Sequence, residues 1–158
     1  MKKTAAFAGT FDPFTIGHKD IVNRALPLFD KIIIAIGVND EKIPLFSLDK
    51  RIEVIKHTFI DNEKIITETY TGLTGEFCNK SNAQYLIRGI RNSIDFQYES
   101  DLAQANKEIF GLETFFLMSA PTLSHISSSL VRELYKNKGN YQKYLPKNSK
   151  TNTCYAIP

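Results

Sequence analysis

A chain of 158 residues, 42% of them hydrophobic, with a mean hydropathy of −0.23, has the profile of one globular domain that buries roughly two thirds of its unfolded surface. No apolar run approaches the ~18 residues of a membrane span and the first residues carry no secretory apolar segment, so no membrane partner is expected and the cytoplasm is the expected compartment. A net charge of +3 is too slight to mark a nucleic-acid binder and suits a small anionic substrate.

Taken in order, Thr4 to Ala8 are short and apolar, as a buried first strand is. Ile21, Val22, Ala25 and Leu26 then share one helical face, which Phe29 continues. Lys31 to Val38 is a nearly unbroken β-branched run, the pattern of a strand covered on both faces. Asn39 to Lys42 form a polar exit loop. Ser47 is placed to cap a helix through about Phe59, striped by Leu48, Ile52, Ile55 and Phe59. Ile65 to Tyr70 predict a third strand, and Gly72 to Gly75 open a short helix holding Phe77 and Cys78. Gln84 to Ile87 predict a fourth strand, running into Arg88-Gly89-Ile90-Arg91. The longest helix is predicted from Ser93, as its N-cap, to Phe110, with Gly111 ending it. Glu113 to Met118 predict a fifth strand, Ser119 to His125 a loop, and Ile126 to Ser129 the start of a last helix that stops near Gly139. Pro146 to Pro158 show no periodic apolar face, so the domain is set at residues 1–146 and residues 147–158 are a tail whose loss from Asn148 onward is expected to cost little.

Strands alternating with helices imply right-handed crossovers and a doubly wound, Rossmann-like α/β domain with a five-stranded parallel sheet. Ligands of such sheets bind beyond the carboxyl ends of the strands. The segments that follow the strands here, from Gly9-Thr10 to Ser119–Ser129, all carry polar or glycine-rich clusters. Cys78 and Cys154 have no partner at metal-ligand spacing, so both are expected to be reduced, with Cys78 a small apolar filler and no protein metal site. His57 is expected at a surface or boundary.

The chemistry concentrates in Gly9-Thr10-Phe11-Asp12-Pro13-Phe14-Thr15-Ile16-Gly17-His18, a strand-to-helix turn. Unpaired N–H groups at a helix start suit a phosphate, and a His and a Thr beside them can hold charge developing on a phosphoryl group. A bare T-x-G-H is equally consistent with a helix-capping His; Gly-Thr-Phe-Asp-Pro upstream favours a nucleotide site. Arg88 and Arg91 are surface arginines or, placed around Gly89 after a strand, bidentate phosphate ligands. Ser127-Ser128-Ser129 is a plain N-cap or a second phosphate cluster. Lys42 is a solvated lysine or a phosphate ligand.

Together, Gly9 to Pro13, Thr15 to His18, Arg88 to Arg91, Asp95-Phe96-Gln97-Tyr98-Glu99 and Ile126 to Arg132 resemble the bacterial phosphopantetheine adenylyltransferases, members of the T-x-G-H nucleotidyltransferase superfamily. The likeness runs in register from about Lys3 to about Pro146. It implies transfer of an adenylyl group from ATP to 4′-phosphopantetheine in coenzyme A biosynthesis, giving dephospho-coenzyme A and pyrophosphate, with Mg²⁺ and a hexameric assembly. By the same resemblance Thr10, Lys42 and Arg88 hold the acceptor phosphate, and His18 stabilises the α-phosphate. Arg91 and Ser127 to Ser129 grip the outer phosphates, with Glu99 on the ATP side. Leu73 and Thr74 line the pantetheine arm. Thr10, Lys42, His18 and Arg91 form the catalytic set; Phe11, Gly89, Ile90, Leu123, Ser124, His125 and Ile126 complete the ATP side. The chain departs from the pattern at Ala8, Gln97 and His125, and in its tail. The alternatives are another nucleotidyltransferase of the same fold, acting on nicotinamide mononucleotide or using CTP, and a non-catalytic nucleotide sensor. A class I aminoacyl-tRNA synthetase fragment is disfavoured, because the chain has no K-M-S-K-S-type loop.

Overall fold

The computed structural model describes residues 2–39, 41 and 43–148. Lys42 and Cys154 therefore lie outside the described residues, as does the tail from Ser149 onward. Five parallel strands, β1 (Thr4–Gly9), β2 (Lys31–Gly37), β3 (Ile65–Tyr70), β4 (Tyr85–Ile90) and β5 (Glu113–Met118), form one sheet in the order β3-β2-β1-β4-β5. The Rossmann-like α/β expectation holds. The chain winds outward from β1 to β3 and then crosses to β4 and β5, so the winding direction reverses between β1 and β4. That reversal is where such sheets open a crevice for ligands.

Side-chain alternation along the strands sorts the core into two unequal halves. Ala5, Phe7, Ile32, Ile34, Ile36 and Ile87 face α1 (Ile16–Ala25), α2 (Leu48–Thr58) and α5 (Ser128–Lys136), whose Val22, Ile55 and Val131 are fully buried. Ala6, Ala8, Ile33, Ala35 and Leu86 face α3 (Thr74–Lys80) and α4 (Ser93–Phe110). Cys78 is buried in this second half, where desolvation pushes its thiol up to about 11. It is the apolar filler expected. No helix among the described residues is long and apolar enough to cross a membrane.

Four boundaries differ from expectation. The cap of α4 is Asn92, whose side chain accepts the Asp95 N–H at 2.9 Å, and Ser93 is the first helical residue. Strand β4 continues to Ile90, so Arg88 and Gly89 lie within it, registered with Phe116 and Leu117 of β5. Helix α1 ends at Ala25 and a 3₁₀ turn, Leu26–Leu28, carries the chain to a buried Phe29. The domain also runs past residue 146: Lys19 Nζ donates to Lys147 O at 2.6 Å, and the buried Asn148 donates to His57 O at 2.9 Å. A cut at Asn148 thus removes a buried side chain that bonds to α2.

Candidate active site

The segment leaving β1 turns at Phe11 (φ 47°) and enters α1 at Thr15. Thr15 and His18 cap the helix reciprocally. The His18 N–H reaches Thr15 Oγ1 at 3.4 Å, and the Thr15 N–H donates to His18 Nδ1 at 3.0 Å. His18 thus caps α1 and also lines the cleft above it.

The state of the imidazole follows from its surroundings. The rings of Phe7, Phe11 and Phe14 stand 5.1–6.0 Å from it, centroid to centroid. Burial, and then the positive charges of Arg88 and Arg91, push its pKa down to about 4. At neutral pH the ring is uncharged. Because Nδ1 accepts the Thr15 N–H, the single ring proton sits on Nε2, which makes that nitrogen a hydrogen-bond donor.

The cleft encloses about 300 Å³ and is lined by the turn, by Arg88, Gly89 and Arg91, and by Ser119 and Ile126 to Ser129. Gly89 lets α1 approach β4, since a Cβ there would lie 3.1 Å from Ile21 Cγ1. Two helix starts meet here, with Gly17 of α1 and Ser127 to Ser129 of α5 in the same wall. Their first N–H groups are free donors and the helix dipoles add positive potential, so the place favours an anion. The serines divide their work. Ser127 Oγ accepts the Leu130 N–H at 3.1 Å as the cap, Ser128 Oγ donates to Pro13 O at 2.8 Å, and Ser129 Oγ accepts from Arg132 at 2.9 Å. Cap and cleft wall again coincide.

Both expected arginines are present and already oriented. Arg88 donates to Ala8 O and makes a bidentate pair with Glu99, Nε to Oε2 at 2.6 Å and Nη2 to Oε1. Arg91 pairs with Asp95, Nε to Oδ2 at 2.8 Å. A guanidinium has five N–H donors, so Arg88 keeps two for a ligand and Arg91 keeps others. Glu99, expected on the ATP side, serves here to aim Arg88.

A second cleft of about 260 Å³ opens on the far side of Arg88, lined by Gly9, Thr10, Tyr70, Gly72 and Thr74. Thr74 is tied to Tyr70 through their hydroxyls at 2.8 Å, and Leu73 is 59% exposed beside it. Thr10, Phe11, His18, Gly89, Arg91, Glu99 and Ile126 to Ser129 are thus brought together in the first cleft, and Thr10, Thr74 and Arg88 in the second. Ile90 points into the core and its carbonyl holds the Ser119 N–H at 2.8 Å, so it can serve a ligand only through its backbone. Leu123, Ser124 and His125 lie on the approach to Ile126 and do not line the first cleft. Ser124 Oγ donates to Pro121 O, and the exposed His125 ring meets the edge of Tyr144.

Sequence inspection gave no site role to Ser119, Asp95 or Arg51. Asp95 sits one helical turn after Arg91, a spacing that announces the pair. Arg51 falls on the same helical stripe as Leu48, Ile55 and Thr58, a charge placed on a buried face.

A family model described as cytidylyltransferase-like matches residues 6–134. A protein of Cytophaga hutchinsonii named phosphopantetheine adenylyltransferase is 49% identical over 147 residues, 92% of this chain and 98% of its own. One of the same name from Christiangramia forsetii is 46% identical over 146 residues, 92% and 96% of the two chains. Among solved structures, the bifunctional NMN adenylyltransferase/ADP ribose pyrophosphatase of Francisella tularensis superposes with a TM-score of 0.72 at 17% identity, over 94% of this chain and 46% of that one. This likeness supports the fold alone. With a neutral, Nε2-protonated histidine at the head of α1 and two arginines at the sheet's winding reversal, the chain belongs to the cytidylyltransferase-like family and, within it, to the phosphopantetheine adenylyltransferases.

Proposed function

We propose that this enzyme transfers the adenylyl group of ATP to the phosphate of 4′-phosphopantetheine, giving dephospho-coenzyme A and pyrophosphate. The observation that carries the proposal is the His18 tautomer: Nδ1 is occupied by the Thr15 N–H, which leaves Nε2–H as a neutral donor in the anion-favouring cleft. An acceptor phosphate oxygen attacks the α-phosphorus in line, the bond to the bridging oxygen of the β-phosphate breaks, and pyrophosphate leaves with the electron pair. Little covalent work falls to the protein; it positions the partners and stabilises charge. His18 Nε2–H donates to the α-phosphate oxygen whose charge grows in the transition state. Arg91 and the free N–H groups at the start of α5 hold the outer phosphates. Thr10, Arg88 and Lys42, the last outside the described residues, hold the acceptor phosphate. The arm beyond it runs past Leu73 and Thr74 toward the small apolar hollow bounded by Leu86, Leu102 and Ala103.

Mg²⁺ enters in this proposal as the counter-ion of the triphosphate. Among the described residues no three His, Cys, Asp or Glu side chains gather as a metal site, and the cleft carboxylates Asp95 and Glu99 are paired with arginines. A magnesium ion that keeps most of its waters and rides on phosphate oxygens fits such a cleft. The working compartment is the cytoplasm. The chain works as a homo-oligomer, joined through α4 and β5, where Ile94, Phe96, Tyr98, Ile109 and Met118 stand exposed.

Pyrophosphate release from MgATP, measured with 4′-phosphopantetheine, nicotinamide mononucleotide or no acceptor, and with CTP in place of ATP, tests the proposal. Release with ATP that depends strictly on phosphopantetheine is expected. Equal release with nicotinamide mononucleotide, or none with phosphopantetheine, contradicts it.

A further inference from the structure

Four carbonyls from the end of β1 through the turn that follows are held by side chains from other parts of the chain: Ala8 O by Arg88, Thr10 O by Arg51 at 2.8 Å, Asp12 O by Arg132 at 2.8 Å, and Pro13 O by Ser128 at 2.8 Å. Arg88 and Ser128 line the first cleft themselves, and the half-buried Arg132 also bonds to Ser129 of its wall. Arg51 is different. It rises from α2, is only 4% exposed, and does not line that cleft. Burying a guanidinium is costly, and an apolar side chain would fill the same place without that cost. The nearby carboxylate of Asp12 offers Arg51 its negative charge but no hydrogen bond among the described residues; its oxygens accept the Leu45 and Phe46 N–H groups at 2.9 Å. The one side-chain hydrogen bond Arg51 makes among the described residues is to Thr10 O, and its Nε has no partner there.

The Thr10–Phe11 peptide is the wall between two cavities. Thr10 lines the first cleft with His18 and also a separate cavity, on the other side, with Arg51. A trans peptide is planar and its C=O and N–H point in opposite directions. With the Thr10 carbonyl turned to Arg51, the Phe11 N–H is turned away from Arg51, and Phe11 lines the first cleft. That N–H has no acceptor among the described residues. Phe11 itself sits at φ 47°, a backbone region a bulky residue seldom takes, so something outside the turn must hold the peptide there. We propose that Arg51 is a positioning residue: its bond to Thr10 O fixes the Thr10–Phe11 peptide with the Phe11 N–H facing the cleft, as an added donor to a bound phosphate. This rests on the function proposed above, in which the first cleft holds the phosphates of ATP.

The test is calorimetry of ATP binding to the full chain, comparing Arg51→Met, Arg51→Lys and Thr58→Val. Thr58 is buried in the same helix, and its hydroxyl bonds only to Val54 O, so Thr58→Val loosens α2 without touching the turn. Arg51→Met is expected to weaken ATP by about tenfold or more, the worth of one hydrogen bond to a charged group. Arg51→Lys, which keeps a donor but not the fork, should fall between it and wild type. Thr58→Val should lower the melting temperature and leave ATP affinity unchanged. In ¹⁵N spectra the Phe11 amide should move on ATP addition in wild type and respond less in Arg51→Met. If Arg51→Met does not fold, Arg51→Lys decides alone, by binding ATP more weakly than Thr58→Val. Arg51 variants that melt lower but bind ATP as wild type does overturn the proposal. Wild-type protein that binds ATP yet releases no pyrophosphate overturns the proposed function instead, and leaves the role of Arg51 standing.

Discussion

The two faces of the sheet are finished to different degrees. Toward α1, α2 and α5 the strands offer Phe and Ile side chains, and each helix answers with fully buried residues. Toward α3 and α4 they offer mostly alanines, and the 18 residues of α4 include not one that is buried. The first face is complete within one chain. The second leaves Ile94, Phe96, Tyr98 and Ile109 in solvent, an apolar surface of the kind that marks an interaction site. The turn after β1 is anchored to the complete face through Arg51, Arg132 and Ser128. The pair Arg88–Glu99 reaches across to the incomplete one. The first cleft thus draws on both faces, since Asp95 and Glu99 of α4 line it together with the turn, while the outward side of α4 stays uncovered within one chain.

Matched truncations sharpen this difference. Ile55→Ala opens a cavity in the complete face and should cost about 2–5 kcal/mol in chemical denaturation. Phe96→Ala removes a side chain that is 48% exposed and should cost the isolated chain about 0.5 kcal/mol or less, while lowering the assembly mass in analytical ultracentrifugation. Equal stability losses, or an unchanged mass for Phe96→Ala, would break the distinction.

A smaller effect is expected at the end of the domain. A cut before Lys147 deletes the bonds to Lys19 and His57, which a cut after Asn148 keeps. The deeper cut should cost about 1–2 kcal/mol more than the other. Identical melts for the two truncations would mean that these contacts add nothing.

Stability should also depend on pH. His18 protonates near 4 in the folded chain against an ordinary 6.5. Between those values the unfolded chain binds the proton and the folded chain does not. The contribution of His18 to stability is therefore complete above about 6.5 and is lost as pH falls toward 4. An NMR titration should give an imidazole midpoint near 4, with the neutral ring protonated on Nε2; a midpoint near 6.5 would show that the aromatic cage is not dry.

Hydrophobic periodicity was enough to locate all five strands and the helices between them, because fully buried strands and amphipathic helices leave distinct patterns. It could not separate Asn92 from Ser93 as the cap of α4, since both side chains can accept the same N–H and only the backbone angles decide. It placed Arg88 beyond its strand because an arginine reads as loop, yet here the ion pair with Glu99 and the bond to Ala8 O let a charge sit within β4. Thr15 and His18 were visible as a motif, but not the reciprocal bonding that sets the tautomer. Asn148 carries no periodic signal at all, because a single side-chain amide docking on a helix carbonyl has no period.

The central claim is that His18 acts as a neutral donor in the transition state, and steady-state kinetics of His18→Ala, with calorimetric ATP affinity on the same preparation, test it most directly. A donor whose bond strengthens only as charge develops lowers turnover and leaves ground-state binding nearly alone. Turnover should fall on the order of 10²–10³-fold, roughly 3–4 kcal/mol, with ATP affinity changed little. The melting temperature should drop only by the loss of a helix cap, about 1–2 kcal/mol. Turnover within about threefold of wild type, accompanied by that same loss of stability, would make His18 a cap and nothing more.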